Sequence, residues 1–89
     1  MAIYVNGFSK VFSALLQQAH VSCYQISQYT HLDQGYLNRL KTGEKQNPSP
    51  ETVMKISLAL THYSSQVRLY DIQRLFRSVG RSLNMGEEY

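Results

Sequence analysis

Two helix-start signals lie close together, at residues 22 and 33, and they constrain the fold more than any other feature of the chain. In the first, Ser22 and Gln25 have the spacing of a capping box, in which each side chain bonds the backbone N–H of the other residue. In the second, Asp33 is a good N-cap whose carboxylate also suits the positive end of the helix dipole. The sequence therefore predicts two short helices with very little chain between them.

The spacing of apolar residues predicts how these two helices pack. Small and apolar residues form one face of the first helix, and two leucines form the inward edge of the second: Cys23, Ile26, Ser27 and Thr30, then Leu37 and Leu40. Because only these few residues form the contact between the two helices, the helices must cross. The chain between them therefore has to reverse at residues 30–32. We expect His31 there at positive φ, because His is enriched among the non-glycine residues that adopt it. This is the sequence form of a helix-turn-helix.

The segment from about residue 8 to residue 60 resembles the lambda-repressor-like (Xre/Cro-type) DNA-binding family. The positions that match the pattern of that family are Ser22, Ile26, Ser27, His31, Leu37, Leu40, Gly43, Pro48, Ser49 and residues 56–60. Leu16 and Lys41 stand where the family often has an Arg–Glu ion pair, so we expect apolar packing to replace that pair and Lys41 to face a phosphate. The resemblance implies an all-α, compact five-helix domain with the helix-turn-helix at helices two and three.

The flanking residues supply three further helices to a single predicted domain, residues 1–89. We expect a short strand or extended arm over residues 1–8, helices one to four over 9–62, helix five over 63–84 and a flexible tail over 85–89. Helix four has a clear start at Ser49, Pro50 and Glu51. The expected inner residues are Val11, Phe12, Leu15, Leu16 and Ala19 in helix one, Val53, Ile56, Ala59 and Leu60 in helix four, and Ile72, Leu75, Phe76, Val79 and Leu83 in helix five.

Two side-chain groups lie away from these inner faces. Met54 and Leu58 point about 120° to 160° from the inner face of helix four, so helix five or a second chain must cover them, and we favour helix five. Arg74, Arg77 and Arg81 lie opposite the apolar side of helix five. A solvated face is the favoured interpretation of these arginines, with a second DNA contact as the alternative.

Composition limits the possible functions. The formal charge of +3 permits phosphate binding without requiring it. The single cysteine, Cys23, excludes an internal disulfide, and with three scattered histidines it makes no zinc motif. The tyrosines suit the edge of the core, except for Tyr36, which we expect to lie outward. There is no catalytic signature, cofactor motif, signal-peptide pattern or membrane span, so we expect a cytoplasmic protein that is not an enzyme and binds no cofactor or metal.

The resemblance implies that the protein binds double-stranded DNA with helix three in the major groove. Gln and Asn can bond adenine and Arg can bond guanine, while helix ends and lysines can hold phosphates. The predicted DNA-binding residues are Ser22, Cys23, Gln34, Gly35, Tyr36, Asn38, Arg39, Lys41, Thr42 and Lys45. We expect a transcriptional regulator, a repressor or an antitoxin-like protein, acting as a homodimer. In the antitoxin-like case we also expect a protein partner such as a toxin. The alternative is a protein-interaction module with the same fold that does not bind DNA.

Overall fold

The computed structural model describes residues 7–79 and contains five α-helices and no strand in that range. The helices are α1 (Phe8–Ala19), α2 (Cys23–Thr30), α3 (Gln34–Thr42), α4 (Pro50–Tyr63) and α5 (Leu69–Ser78). The expected all-α class with five helices is confirmed. Most of the expected arm and all of the expected tail, with Arg81 and Leu83, lie outside the described residues.

Most of the helix boundaries follow from residues within a few positions of each boundary. The expected capping box is present, since the Gln25 N–H donates to Ser22 Oγ (3.1 Å) and the Ser22 N–H donates to Gln25 Oε1 (3.0 Å). Ser49 caps α4 by accepting from the Thr52 N–H at 3.1 Å, with Pro50 as the first helical residue. Helix α1 begins at Phe8, one residue before the expected start, because Gly7 already occupies the N-cap position.

One hydrophobic core joins all five helices. Helix α1 packs against α3, α4 and α5, and α2 packs against α3 and α4. Each helix contributes buried apolar side chains, among them Phe12, Leu15 and Leu16 from α1, Ile26 from α2, Leu37 and Leu40 from α3, Val53, Ile56, Ala59 and Leu60 from α4, and Leu75 and Phe76 from α5. The inner faces expected for α1, α4 and α5 are therefore confirmed, except that Val11 and Ile72 are only half-buried.

Helix α5 turns its apolar side into this core, and the arginines on its other side have different partners. The Arg74 guanidinium lies 3.9 Å from the buried Asp71 carboxylate and 6.0 Å from the centre of the Tyr70 ring. Arg77 is exposed, as a solvated face requires. The expected arginine stripe is thus divided, because Arg74 has an ion pair and an aromatic contact that Arg77 lacks within residues 7–79. Asp71 also accepts from the Arg68 N–H at 3.0 Å and so defines the start of α5.

The expectation that helix five covers Met54 and Leu58 is wrong for the described part of the chain. Met54 is 45% exposed and Leu58 is 52% exposed. The reason is that α5 also packs against α1, so its buried residues meet the inner core rather than the outward side of α4. Two large apolar side chains therefore remain on the surface.

Candidate nucleic-acid interface

The connection between α2 and α3 is held by its own hydrogen bonds. His31 adopts φ 66° and ψ 17°, as expected, and its N–H donates to the Ser27 carbonyl at 2.8 Å. The Thr30 hydroxyl donates to the Ile26 carbonyl at 2.7 Å and accepts from the Leu32 N–H at 3.1 Å. With the backbone of the turn bonded in this way, α3 has a fixed direction relative to α2.

Helix α3 is anchored on one side and open on the other. Leu37 and Leu40 are fully buried, as expected, while three polar residues on the outer side are exposed: Gln34, Asn38 and Arg39. These three side chains have no hydrogen bond or ion pair to residues 7–79. Exposed amide and guanidinium groups that have no hydrogen bond within the described chain are available to an external partner.

Two predicted site residues at the start of α3 differ from expectation. Tyr36 is half-buried and packs against the hydrophobic core, so the expectation that it lies outward is wrong. Gly35 is also half-buried, and a Cβ added there would lie 3.0 Å from Asp33 Oδ2 and 3.6 Å from Arg39 Nη1. Glycine at this position leaves room for both side chains. The Arg39 guanidinium therefore lies over the first turn of α3.

The end of α3 places its cations in a defined loop. Gly43 adopts φ 92°, and the Arg39 carbonyl accepts from the N–H groups of Gly43 (3.1 Å) and Lys45 (3.0 Å). The Thr42 hydroxyl donates to the same carbonyl at 3.2 Å. The backbone of Lys45 is thus tied to α3, although the sequence suggested a flexible loop. Its ammonium remains exposed.

The start of α2 lies beside Lys41. A surface depression of about 400 Å³ is lined by residues of α1, of the start of α2 and of α3: Ser13, Leu16, Gln17, Val21, Ser22 and Lys41. Leu16 is buried, as expected for apolar packing in place of an ion pair, and Lys41 is exposed. The first N–H groups of a helix have no partner within the helix, so this depression combines a helix start with a cation.

Cys23 is at the first position of α2, but its thiol is buried in the core. Burial raises the pKa of the Cys23 thiol above its ordinary value, and the positive charge of Lys41 opposes that rise. The thiol is therefore a small core group, which was the favoured interpretation of this residue. Only the backbone N–H of Cys23 is placed to serve a ligand at the helix start.

The cations around α3 lack internal ion pairs, a property that they share with Lys10, Arg68 and Arg77 in the described chain. The two paired cations are Lys55, which lies 3.7 Å from Glu51, and Arg74, which pairs with Asp71. Across residues 7–79, neither Arg39, Lys41 nor Lys45 has an acidic partner within ion-pair distance. The face that carries the predicted site therefore has three exposed positive charges without internal neutralisation.

Two exposed side chains close to this face were not among the predicted site residues. Gln17 lines the depression beside Ser22, and Tyr24 is exposed in the first turn of α2. The sequence shows Gln17 only as an outer residue of helix one, and it suggested a core-edge position for Tyr24. The chain itself brings the end of α1 close to the start of α2, because only residues 20–22 join them. The position of Lys41 beside both depends on how α3 packs.

Comparisons of the chain with protein-family models, with curated proteins and with solved structures found no match. Residues 7–79 also contain no group of three or more His, Cys, Asp or Glu side chains that could hold a metal ion. Within the same range, no helix has the length and apolar character needed to cross a membrane. The outer side of α3, with Gln34, Asn38 and Arg39, therefore remains the feature that bears most directly on function.

Proposed function

We propose that this protein binds double-stranded DNA sequence-specifically, as a helix-turn-helix protein of the lambda-repressor-like type, with α3 as its recognition helix. The observation that supports this most directly is the outer side of α3. It presents the unengaged side chains of Gln34, Asn38 and Arg39 while Leu37 and Leu40 fix the helix to the core. A helix held by one edge and open along the other is the element that fits a DNA major groove.

The exposed side chains of α3 have the chemistry needed to distinguish base pairs. The amides of Gln34 and Asn38 can each bond N6 and N7 of adenine, and the planar guanidinium of Arg39 can bond O6 and N7 of guanine. The half-buried Tyr36 has a smaller role in this arrangement, because most of its ring serves the core edge. We propose that base recognition rests on Gln34, Asn38 and Arg39.

The groups around α3 have the chemistry needed to hold the phosphate backbone. The first turn of α2, at Ser22 and Cys23, offers backbone N–H groups beside the Lys41 ammonium. Thr42 and Lys45 follow at the other end of α3, where Lys45 has a hydrogen-bonded backbone and a free ammonium. Contacts on both sides of a recognition helix set its register on DNA without reading sequence.

The rival function is a protein-interaction module that uses the same fold without DNA. Its support in the sequence was the small net charge of +3 and two acidic residues at the edge of the site, Asp33 and Glu44. In the structure, the Asp33 carboxylate accepts from the Tyr36 N–H at 2.8 Å and caps α3. Because this acid has a structural role, its presence does not disfavour DNA, and DNA binding remains the better-supported function.

A DNA-binding domain of this kind acts by occupying a promoter. We propose a cytoplasmic transcriptional regulator, either a repressor or an antitoxin-like protein whose partner modulates DNA binding. We also propose that it acts as a homodimer, because two recognition helices about 34 Å apart would read a near-palindromic site.

The experiment that tests this function has two stages. Selection of bound sites from random duplex DNA yields a preferred sequence, and titrations on that site and on a scrambled one are then repeated at several salt concentrations. The proposal predicts tighter binding to the selected site and a log affinity that falls linearly with log salt, because bound phosphates release counterions. Equal, salt-independent retention on both DNAs, or no retention at low salt, would favour the protein-interaction module.

A further inference from the structure

The outward side of α4 carries a patch of exposed apolar and aromatic side chains. Met54, Leu58 and His62 follow one another at four-residue spacing, so they form one row along the helix. Tyr29 reaches this row from α2, and its ring stacks on His62 with centroids 4.6 Å apart. Tyr63 meets both rings edge-on, at 4.9 Å from His62 and 6.2 Å from Tyr29. We call these five residues the α4 patch.

The α4 patch is comparable in size to the largest apolar patch on a typical monomeric protein, and such patches are often functional. Met54 and Leu58 are about half exposed, Tyr29 is 41% exposed and Tyr63 is 36% exposed. With roughly 200 Å² for a large side chain, these four expose about 350 Å². Contiguous apolar patches of a few hundred Å² on a small domain are often binding sites.

The charges beside the α4 patch are balanced. The nearest charged residues on α4 are Glu51 and Lys55, which pair with each other at 3.7 Å. An acidic partner such as DNA would be attracted by unpaired cations, and α4 has no unpaired Lys or Arg beside the patch. In a twofold dimer, a charged residue near the axis faces the same charged residue of the other copy, and the two repel each other. A neutral apolar row avoids this repulsion and therefore suits a second copy of this chain.

We infer that two copies of this protein associate through the α4 patch, with the two α4 helices crossing antiparallel about a twofold axis at Leu58. In that arrangement Leu58 packs on Leu58 of the partner subunit. Met54 then meets His62 of the partner subunit, where its thioether contacts an aromatic ring, a favourable pairing. The four-residue spacing of the row is also the ridge used in the commonest helix-packing class.

The area of the α4 patch is small for a dimer interface. A stable interface buries about 800 Å² on each partner, roughly twice the exposed area of the patch. The free protein should therefore dimerise weakly. The inference names the surface of the homodimer in the proposed function, but it can be tested without DNA.

Sedimentation of the free protein over a concentration series, combined with charge variants of Leu58, tests the inference. Leu58→Glu and Leu58→Lys each place like charges at the twofold axis and should weaken dimerisation at least about tenfold. An equimolar mixture of the two variants should restore it, because opposite charges then face each other at the axis. Leu69→Glu is the matched control, since Leu69 is an exposed leucine on α5 and its replacement should leave the dimer intact. Circular dichroism checks that every variant is folded.

Three results would overturn the inference. They are a wild-type monomer at concentrations up to about 1 mM, undiminished dimerisation of Leu58→Glu, and a variant mixture that stays monomeric. DNA titrations separate this outcome from failure of the proposed function. Leu58→Glu should keep wild-type affinity for a single half-site and lose its advantage on the palindrome, whereas a protein that does not bind DNA would bind neither.

Discussion

Replacing Leu37 by alanine tests whether α3 is held in place by this residue. Leu37 is 0% exposed and lies in the core cluster, with the half-buried Leu32 packed against that cluster just before α3. Deleting a fully buried leucine side chain removes apolar burial and leaves a cavity, which costs about 3 kcal/mol within the usual range of about 2–5 kcal/mol. A domain of this size is stable by only about 4–13 kcal/mol, so the loss is a large share of the total.

Thermal unfolding measures this loss directly. At about 4–8 °C per kcal/mol, Leu37→Ala should lower the melting temperature by about 12–24 °C. The matched control is Leu69→Ala, because Leu69 is 70% exposed and its truncation should change stability by no more than about 0.5 kcal/mol. Equal melting temperatures for wild type and Leu37→Ala would refute the argument that this leucine seats α3.

Three further predictions concern the site and its helix ends. Arg39→Ala should cost about 1–3 kcal/mol on the selected DNA site and little on scrambled DNA, whereas Lys45→Ala should weaken both alike and reduce the salt slope by about 1. Equal losses on both DNAs for Arg39→Ala would make Arg39 a phosphate contact. Ser22→Ala removes the hydroxyl that accepts from the Gln25 N–H but keeps the backbone N–H that donates to Gln25 Oε1. It should lower stability by about 1 kcal/mol in denaturant titrations, and no change would contradict the capping role. His31→Gly should raise stability by about 0.5–1 kcal/mol, because φ of 66° is strained for His but not for Gly. The control Gln28→Gly, inside α2, should instead lose about 1 kcal/mol.

The helix starts and the turn could be predicted from sequence because their causes are local. The capping box at Ser22, the cap at Asp33 and the left-handed His31 each depend on residues within four positions. The inner faces were also predictable, since helical periodicity alone brings Leu37 and Leu40 to one side. Each of these features is present in the structure.

The parts that could not be predicted depend on how separate helices meet. Nothing near Met54 indicates that α5 leaves the outside of α4 uncovered. The half-burial of Tyr36 and the position of Lys41 beside Ser22 also arise from packing between helices that spacing does not encode. Sequence alone therefore located the candidate helix but not the full surface around it.

Within residues 7–79 the fold contains only two ion pairs, Lys55 with Glu51 and Arg74 with Asp71, and each joins neighbouring turns of one helix. The exposed Lys55–Glu51 pair adds little to stability. The Arg74–Asp71 pair, with a buried carboxylate, lies within α5, so screening of either pair by added salt weakens no contact between helices. The core and the helix caps keep the domain folded at ionic strengths that would release bound phosphates. A salt titration of DNA affinity would therefore report on the contacts with DNA alone, with no contribution from unfolding.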